Sequence, residues 1–292
     1  MGRGENMAKI ALLGGDKRQE FLAIELRQRG FDIVGFGNGI TPAATGIAGA
    51  VEGAEVVLLP VPATRNGVFV SQSVTDIAKI SFSDLLACLP SGTLLLGGLL
   101  PPEWVAAAEE QGILCSDYYK EEPVQLQNAL LTAEGALRLA MQELPVPLFG
   151  TQTAVIGYGR IGSLLCEKLV ALGAAVGVLA RSPAALVKAN LHGAKAAVFG
   201  QEIPPFFGRC RVLFNTVPER VLEPPFLSAL PKNCILIELA SAPGGFDPDL
   251  AKKMGFKVIP APGIPGRFYP EAAGRILADA VCAILLANGF PD

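Results

Sequence analysis

Residues 153–173 constrain the fold of this chain more than any other stretch. Thr153-Ala154-Val155-Ile156 is short, apolar and β-branched, as a buried parallel strand requires, and Gly157-Tyr158-Gly159-Arg160-Ile161-Gly162 breaks it. Ser163 to Leu172 then has helical period and stops at Gly173. A strand that ends in glycines and restarts as a helix aims free backbone N–H groups and a positive dipole end at one point, where a pyrophosphate is stabilised. GxGxxG alone is weak, but in a strand–turn–helix setting it is a dinucleotide fingerprint. Gly157, Tyr158, Gly159, Arg160, Ile161 and Gly162 are therefore candidate cofactor contacts.

The next strand, 175–179, ends at Ala180-Arg181-Ser182-Pro183. An NAD site is expected to carry Asp or Glu about 20 residues past the glycines, on the ribose 2′-hydroxyl. This chain offers a guanidinium and a hydroxyl there, which suit a 2′-phosphate that a carboxylate would repel. Arg181 and Ser182 thus point to NADP in preference to NAD, the alternative being that Arg181 is an ordinary solvated loop residue.

Two series of alternating strands and helices are visible. In the first, strands are expected at 9–13, 31–36, 56–59, 93–96 and 113–115, with helices up to Arg29 and over 82–89 and 102–111. In the second, strands are expected at 153–156, 175–179, 196–198, 212–215, 235–238 and 257–259. Hydrophobic residues make up 51% of the chain and charged ones only 17%, so the strands must be covered on both faces. The reading is an α/β chain: two Rossmann-like doubly wound parallel-sheet domains, joined by long helices around a central cleft. Boundaries are expected at 1–122 for an N-terminal substrate domain, 123–145 for a linking helix, 146–270 for the nucleotide domain and 271–292 for a C-terminal helix packing back across the interface.

On the linking helix, Leu126, Leu130, Ala133, Leu137, Met141 and Leu144 give one apolar face. Asn128, Thr132 and Gly135 form a small, polar stripe almost opposite, suited equally to a ligand cleft or to a close helix–helix contact. In the nucleotide domain, Asn215-Thr216-Val217-Pro218 and Ala240-Ser241-Ala242-Pro243-Gly244-Gly245 end strands on the carboxyl edge, where ligands lie in such sheets. Ala261-Pro262-Gly263-Ile264-Pro265-Gly266 leads into the last helix in the same way. In the N-terminal domain, Gly14-Gly15-Asp16-Lys17-Arg18 enters a helix but is not GxGxxG, so it fits a small anion held by helix N–H groups and Arg18. Pro60, Val61, Thr64 and Arg65 follow another strand and add candidate donors, although either arginine could equally be a solvated surface residue.

Several classes are excluded. The net charge of −3 and the absence of a Lys/Arg cluster argue against nucleic acid. The apolar run Leu94–Leu100 is too short for a bilayer. Residues 1–6 are polar, with neither a leader nor a myristoylation signal expected, and Met7 precedes the first strand closely. Six cysteines without a CxxC pair point to a reducing cytoplasm. A single histidine, His192, cannot build a metal site, so none is expected.

Taken together, the chain resembles the A subunits of dipicolinate synthases from spore-forming bacteria. The resemblance rests on Gly14-Gly15-Asp16 with Arg18-Gln19, Leu59-Pro60-Val61, Thr132-x-Glu134-Gly135, the GxGxxG with Ala180-Arg181-Ser182, Asn215-Thr216-Val217-Pro218, and the two Pro-Gly motifs at 240–245 and 261–266. Tyr269 and Ala272 depart from the family's final motif, where Ala and a hydroxyl residue are expected. The resemblance implies a cytoplasmic, NADP-dependent oxidation of a dihydro- or hydroxytetrahydro-dipicolinate to pyridine-2,6-dicarboxylate during sporulation. It also implies two kinds of partner: further copies in a homo-oligomer, and a flavoprotein B subunit. The dicarboxylate would be met by Gly14, Gly15, Arg18, Pro60, Val61, Thr64, Asn128, Thr132, Gly266 and Arg267, and any acid/base would be Glu134 or Asp16. Two rivals remain: a D-2-hydroxyacid dehydrogenase, whose expected histidine is replaced by Ala261-Pro262-Gly263, and a non-catalytic NADP-binding scaffold for a flavoprotein.

Overall fold

The structure, a computed structural model, describes residues 8–73, 79–200 and 203–290. The N-terminal stretch bearing on a leader lies outside them. The chain divides into two compact units, Met1–Gln127 with Tyr269–Asp292, and Asn128–Phe268.

The first unit alternates β1 (Lys9–Leu13), α1 (Lys17–Gln28), β2 (Asp32–Phe36), α2 (Ile47–Val51), β3 (Val56–Leu58), α3 (Phe82–Cys88), β4 (Leu94–Gly97), α4 (Pro102–Glu109) and β5 (Leu114–Asp117). Its sheet is wholly parallel, in the order β2-β1-β3-β4-β5. Alternate residues of β1 supply opposite faces: Ile10 and Leu12 join one core cluster, Ala11 and Leu13 the other. A strand covered on both sides must be apolar throughout, which is why KIALL reads as it does.

The second unit receives most of α5 (Glu122–Glu143) and then builds β6 (Gln152–Ile156), α6 (Arg160–Ala171), β7 (Ala175–Ala180), α7 (Pro183–Leu191), β8 (Lys195–Val198), β9 (Val212–Asn215), α8 (Pro224–Ser228), β10 (Ile235–Glu238), α9 (Pro248–Lys253), β11 (Lys257–Pro260) and α10 (Ile264–Phe268). All six strands are parallel, in the order β11-β10-β9-β6-β7-β8. This is the doubly wound nucleotide-fold order, in which the chain leaves β6 in one direction and returns beyond it to β9.

The chain finally re-enters the first unit as α11 (Pro270–Ala287), which lies on α1. A Cβ on Gly274 would stand 2.6 Å from Phe21 Cβ and 2.9 Å from the Arg18 carbonyl, so glycine is what lets the two helices close. Leu277, Ala278, Val281 and Leu285 enter the same core as Leu22 and Leu26.

Every strand read from sequence forms, within two residues of its expected ends. Helices α2, α7, α8, α9 and α10 form beyond those expected from sequence, each too short and weakly periodic to stand out in the pattern. The expected apolar face of α5 is half corrected: Ala133, Leu137 and Leu144 are buried, but Leu126, Leu130 and Met141 are 44%, 37% and 52% exposed, while Thr132 is buried. Apolar residues occur around most of this helix, so spacing alone did not settle which side is covered.

Candidate functional site

In the second unit the switch point lies between β6 and β9, and the glycine turn occupies it. Gly157 has φ +93°, and a Cβ there would stand 2.4 Å from Thr216 Oγ1 and 2.8 Å from Val217 Cγ2. Gly162 is tighter still, since a Cβ would meet the Gly157 carbonyl oxygen at 2.3 Å. These two glycines let α6 pack down on the strand end. Gly159 differs: it is the N-cap of α6, and a Cβ there would meet nothing within 4 Å. Gly159 and Arg160 are exposed and Ile161 is half-buried, so the glycine at the head of α6 borders open space.

The rest of the carboxyl edge is arranged by hydrogen bonds that spacing did not reveal. Asn215 is fully buried, and its amide donates to the Val217 carbonyl (2.9 Å) and to Glu238 Oε1 (2.6 Å) while accepting from Val217 N–H (3.2 Å). It is turned into the protein, with both ends of its amide spent on protein partners. Thr216 spends its hydroxyl on the Ile156 carbonyl at 2.8 Å. Glu238, missed from sequence, accepts from Asn215, from Ala240 N–H and from Gly245 N–H, the last two at 3.0 Å. Burial raises its carboxyl pKa more than these hydrogen bonds lower it. The signal was an acid closing the otherwise apolar strand Ile235–Glu238. Pro218 is exposed on the same edge.

Arg181 and Ser182 sit exposed at the end of β7, where Ser182 is the N-cap of α7 with Pro183 behind it. Arg181 makes a 3.2 Å ion pair with Glu219, both largely solvated. Tyr158 reaches His192, with its hydroxyl 3.0 Å from Nδ1. Burial and the neighbouring Cys166 push the Tyr158 phenol up to about 12.

Five expected contacts, Glu134, Asn128, Thr132, Gly266 and Arg267, lie elsewhere in this unit. Glu134 pairs with Lys168 at 3.0 Å. Lys168 is in the last turn of α6, roughly 12 Å along the axis from its glycine end. Thr132 hydrogen-bonds back to the Asn128 carbonyl at 2.8 Å within α5. Gly266 lies in α10, and Arg267 is stacked over Phe268, a ring that also carries Arg138.

In the first unit the sheet order places a second switch point between β1 and β3. A pocket of about 120 Å³ opens there, lined by Gly15, Asp16, Arg18, Pro60 and Val61, and also by Arg65 and Ser71 to Ser73. Gly14 and Gly15 both have positive φ. A Cβ on Gly14 would stand 2.6 Å from the Ser71 carbonyl, so the turn and the 71–73 segment touch directly. Asp16 caps α1 through Arg18 N–H at 3.0 Å and takes two further bonds from the Arg18 guanidinium, each 2.8 Å. Arg18 also donates to the Val61 carbonyl at 2.6 Å. Burial acts to raise the Asp16 pKa, but the hydrogen bonds and charge of Arg18 outweigh it and hold the carboxyl below its usual value. Thr64 closes its own loop instead of facing the pocket, accepting from Gly67 N–H at 3.0 Å and donating to the Phe69 carbonyl at 2.7 Å. Among the described residues no cluster of His, Cys, Asp and Glu could hold a metal, and no helix is long and apolar enough to cross a membrane.

Two doubly wound parallel sheets, the second with a glycine turn at its switch point, define a protein of the two-domain Rossmann class. Residues 9–119 match the family model for the N-terminal domain of the dipicolinate synthase A subunit. The A subunit of dipicolinate synthase from Bacillus subtilis (strain 168) is 31% identical over 286 residues, 95% of each chain. The crystal structure of the Bacillus subtilis A subunit matches with a TM-score of 0.82 at 30% identity, covering 99% of this chain and 97% of that one. That of the A subunit from Bacillus halodurans gives 0.83 at 26% identity, over 95% and 97%. The chain belongs to the family of dipicolinate synthase A subunits.

Proposed function

We propose that this chain is the NADP-dependent subunit of a dipicolinate synthase, oxidising a dihydro- or hydroxytetrahydro-dipicolinate to pyridine-2,6-dicarboxylate in the cytoplasm of a sporulating cell. Its partners in this reading are further copies of itself and a flavoprotein B subunit. The observation that carries it is the glycine-capped N-terminus of α6, open beside a strand end that bears Arg181 and Ser182 where an NAD site would bear an acid.

The residues fit a dinucleotide. Space at Gly159 leaves the first α6 N–H groups approachable by a pyrophosphate, and the start of α7, with Ser182 as its N-cap, faces the same edge as Arg181. When bound, the nicotinamide supplies a hydride acceptor. The chain's own residues then hold and orient: α6 the pyrophosphate, Arg181 and Ser182 the 2′-phosphate, and the pocket beside the β1–α1 turn a ring carboxylate. Aromatisation drives the oxidation, so alignment is the main demand.

Neither expected acid/base suits a larger role. Asp16 is committed to Arg18, and Glu134 is paired at the far end of α6. Those two ion pairs also favour a second reading, a nucleotide-binding scaffold for the flavoprotein. The hydroxyacid dehydrogenase reading lacks its base, because the chain's one histidine lies against Tyr158.

Two measurements test the proposal. Purified chain should reduce NADP when given the dihydro precursor, with or without the B subunit, whereas a scaffold would be silent by itself. In a titration, Arg181→Asp should weaken NADP about 10- to 100-fold and leave NAD unchanged. Equal loss for both nucleotides would refute the 2′-phosphate assignment.

A further inference from the structure

The first-unit pocket carries a concentration of unmet polar groups. Of the six buried, unpartnered side-chain N and O atoms among the described residues, four surround the Gly14–Gly15 turn: Gln19 Nε2 and Oε1, Ser71 Oγ and Gln72 Nε2. Buried polar groups in folded proteins are nearly always paired, so such a cluster marks a place where a ligand or ordered water completes the bonding. Gln19 is 1% exposed, and its side chain lies against Gly15 and near Pro60, both of which line the pocket.

The charge at the pocket is also unevenly spent. Arg18 is neutralised by Asp16, and one of its nitrogens is further committed to the Val61 carbonyl. Asp16 caps α1 itself, which removes part of the helix-end attraction for an outside anion. Arg65 is exposed at the rim; no ion pair involves it among the described residues, and its charge acts on Asp16 only at longer range, helping to hold that carboxyl down. The 71–73 segment is fixed: Gly15 N–H donates to the Ser71 carbonyl at 2.6 Å, and Ser73 returns N–H and Oγ–H bonds to the Gly15 carbonyl at 2.9 and 2.8 Å. Gln72 is held by its Oε1, which accepts from Ile80 N–H at 3.1 Å, leaving its Nε2 to donate elsewhere.

We propose that Arg65, Ser71 and Gln72 form the carboxylate-recognition group of the first unit, with Gln19 as the polar wall behind the glycine turn. Arg65 supplies the charge, Ser71 Oγ–H and Gln72 Nε2–H the directed hydrogen bonds, and Arg18 with Asp16 keeps the turn in shape. The ligand class is an organic carboxylate. That it belongs to a pyridine dicarboxylate rests on the functional reading above.

Trp104 is the chain's sole tryptophan and donates from Nε1 to the Gly67 carbonyl of the loop that carries Arg65. Its emission offers a readout of binding on the full-length chain, alongside calorimetry. The probes are dipicolinate, picolinate with one carboxylate, and acetate. Arg65→Gln should weaken dipicolinate at least 10-fold and flatten its salt dependence, and Ser71→Ala about 5-fold. Gln19→Met should weaken binding while leaving the melting temperature equal or higher, because it removes an unpaired buried amide. A merely structural role would lower stability and leave affinity alone.

Tight dipicolinate binding that all three variants retain would overturn this assignment and leave the functional reading standing. If the wild type ignored dipicolinate but bound picolinate or acetate, with loss in the variants, the assignment would stand and the dicarboxylate reading would fall. Binding of none of the three probes would overturn the assignment.

Discussion

The Asp16 carboxylate and the Arg18 guanidinium hold each other across two residues, and the pair sets the shape of the β1–α1 turn. The Asp16 pKa is lowered on folding, so its contribution to stability is complete above about pH 4 and is lost as pH falls through the folded-state value. Asp16→Asn keeps a good helix cap but breaks the charge pair, and should lower stability at pH 7 by about 2 kcal/mol in urea unfolding. The gap from wild type should narrow on acidification. A gap that stayed constant from pH 7 to pH 3 would show that the ionised form is not what stabilises. This pair was only half legible in sequence: Arg18 read as an anion binder because nothing in a spacing of two says that the nearest anion is Asp16. Asn215 shows the same limit. An amide at a strand's carboxyl end can face outward to a ligand or inward, and Glu238, on the neighbouring strand β10, turns it inward.

At the scale of elements, the β6–α6 turn separates two uses of glycine. Gly162 gives α6 room against backbone, and Gly159 leaves room for something that is not protein. Gly162→Ala should cost about 1–3 kcal/mol, overpacking outweighing the helix-propensity gain, and should also abolish dinucleotide binding. Gly159→Ala should stay within about 0.5 kcal/mol of wild-type stability yet weaken NADP at least 10-fold. Thermal melts and titrations of the two variants together check this; parallel losses in both would mean that Gly159 is structural too. Strands were legible because a parallel strand buried on two faces leaves a continuous apolar run between breakers. The covered face of α5 was not, because Leu126, Leu130 and Met141 obey helical spacing as well as the buried residues do. Which side is covered is decided by neighbours, not by period.

For the whole molecule, the first unit is discontinuous: its last helix follows the entire second unit in sequence. Leu277, Val281 and Leu285 each bury a side chain in the first-unit core, worth about 1.5–3 kcal/mol apiece. Their sum approaches the net stability of an ordinary domain. A chain ending after Phe268 should therefore lose the unfolding transition of the first unit while the second still melts and binds dinucleotide. Retention of both transitions in calorimetry would show that α11 is dispensable. The sequence by itself determined the two parallel-sheet units, the strands to within two residues and the glycine turn, since these depend on local properties: apolar runs, breakers, and the φ freedom of glycine. Only the tertiary structure decided that Asn215 faces inward, that Glu134 meets Lys168, and that Gln19, Ser71 and Gln72 gather unpaired around one turn. Those outcomes depend on residues tens of positions apart in the chain, brought together by sheet order, which no local pattern encodes.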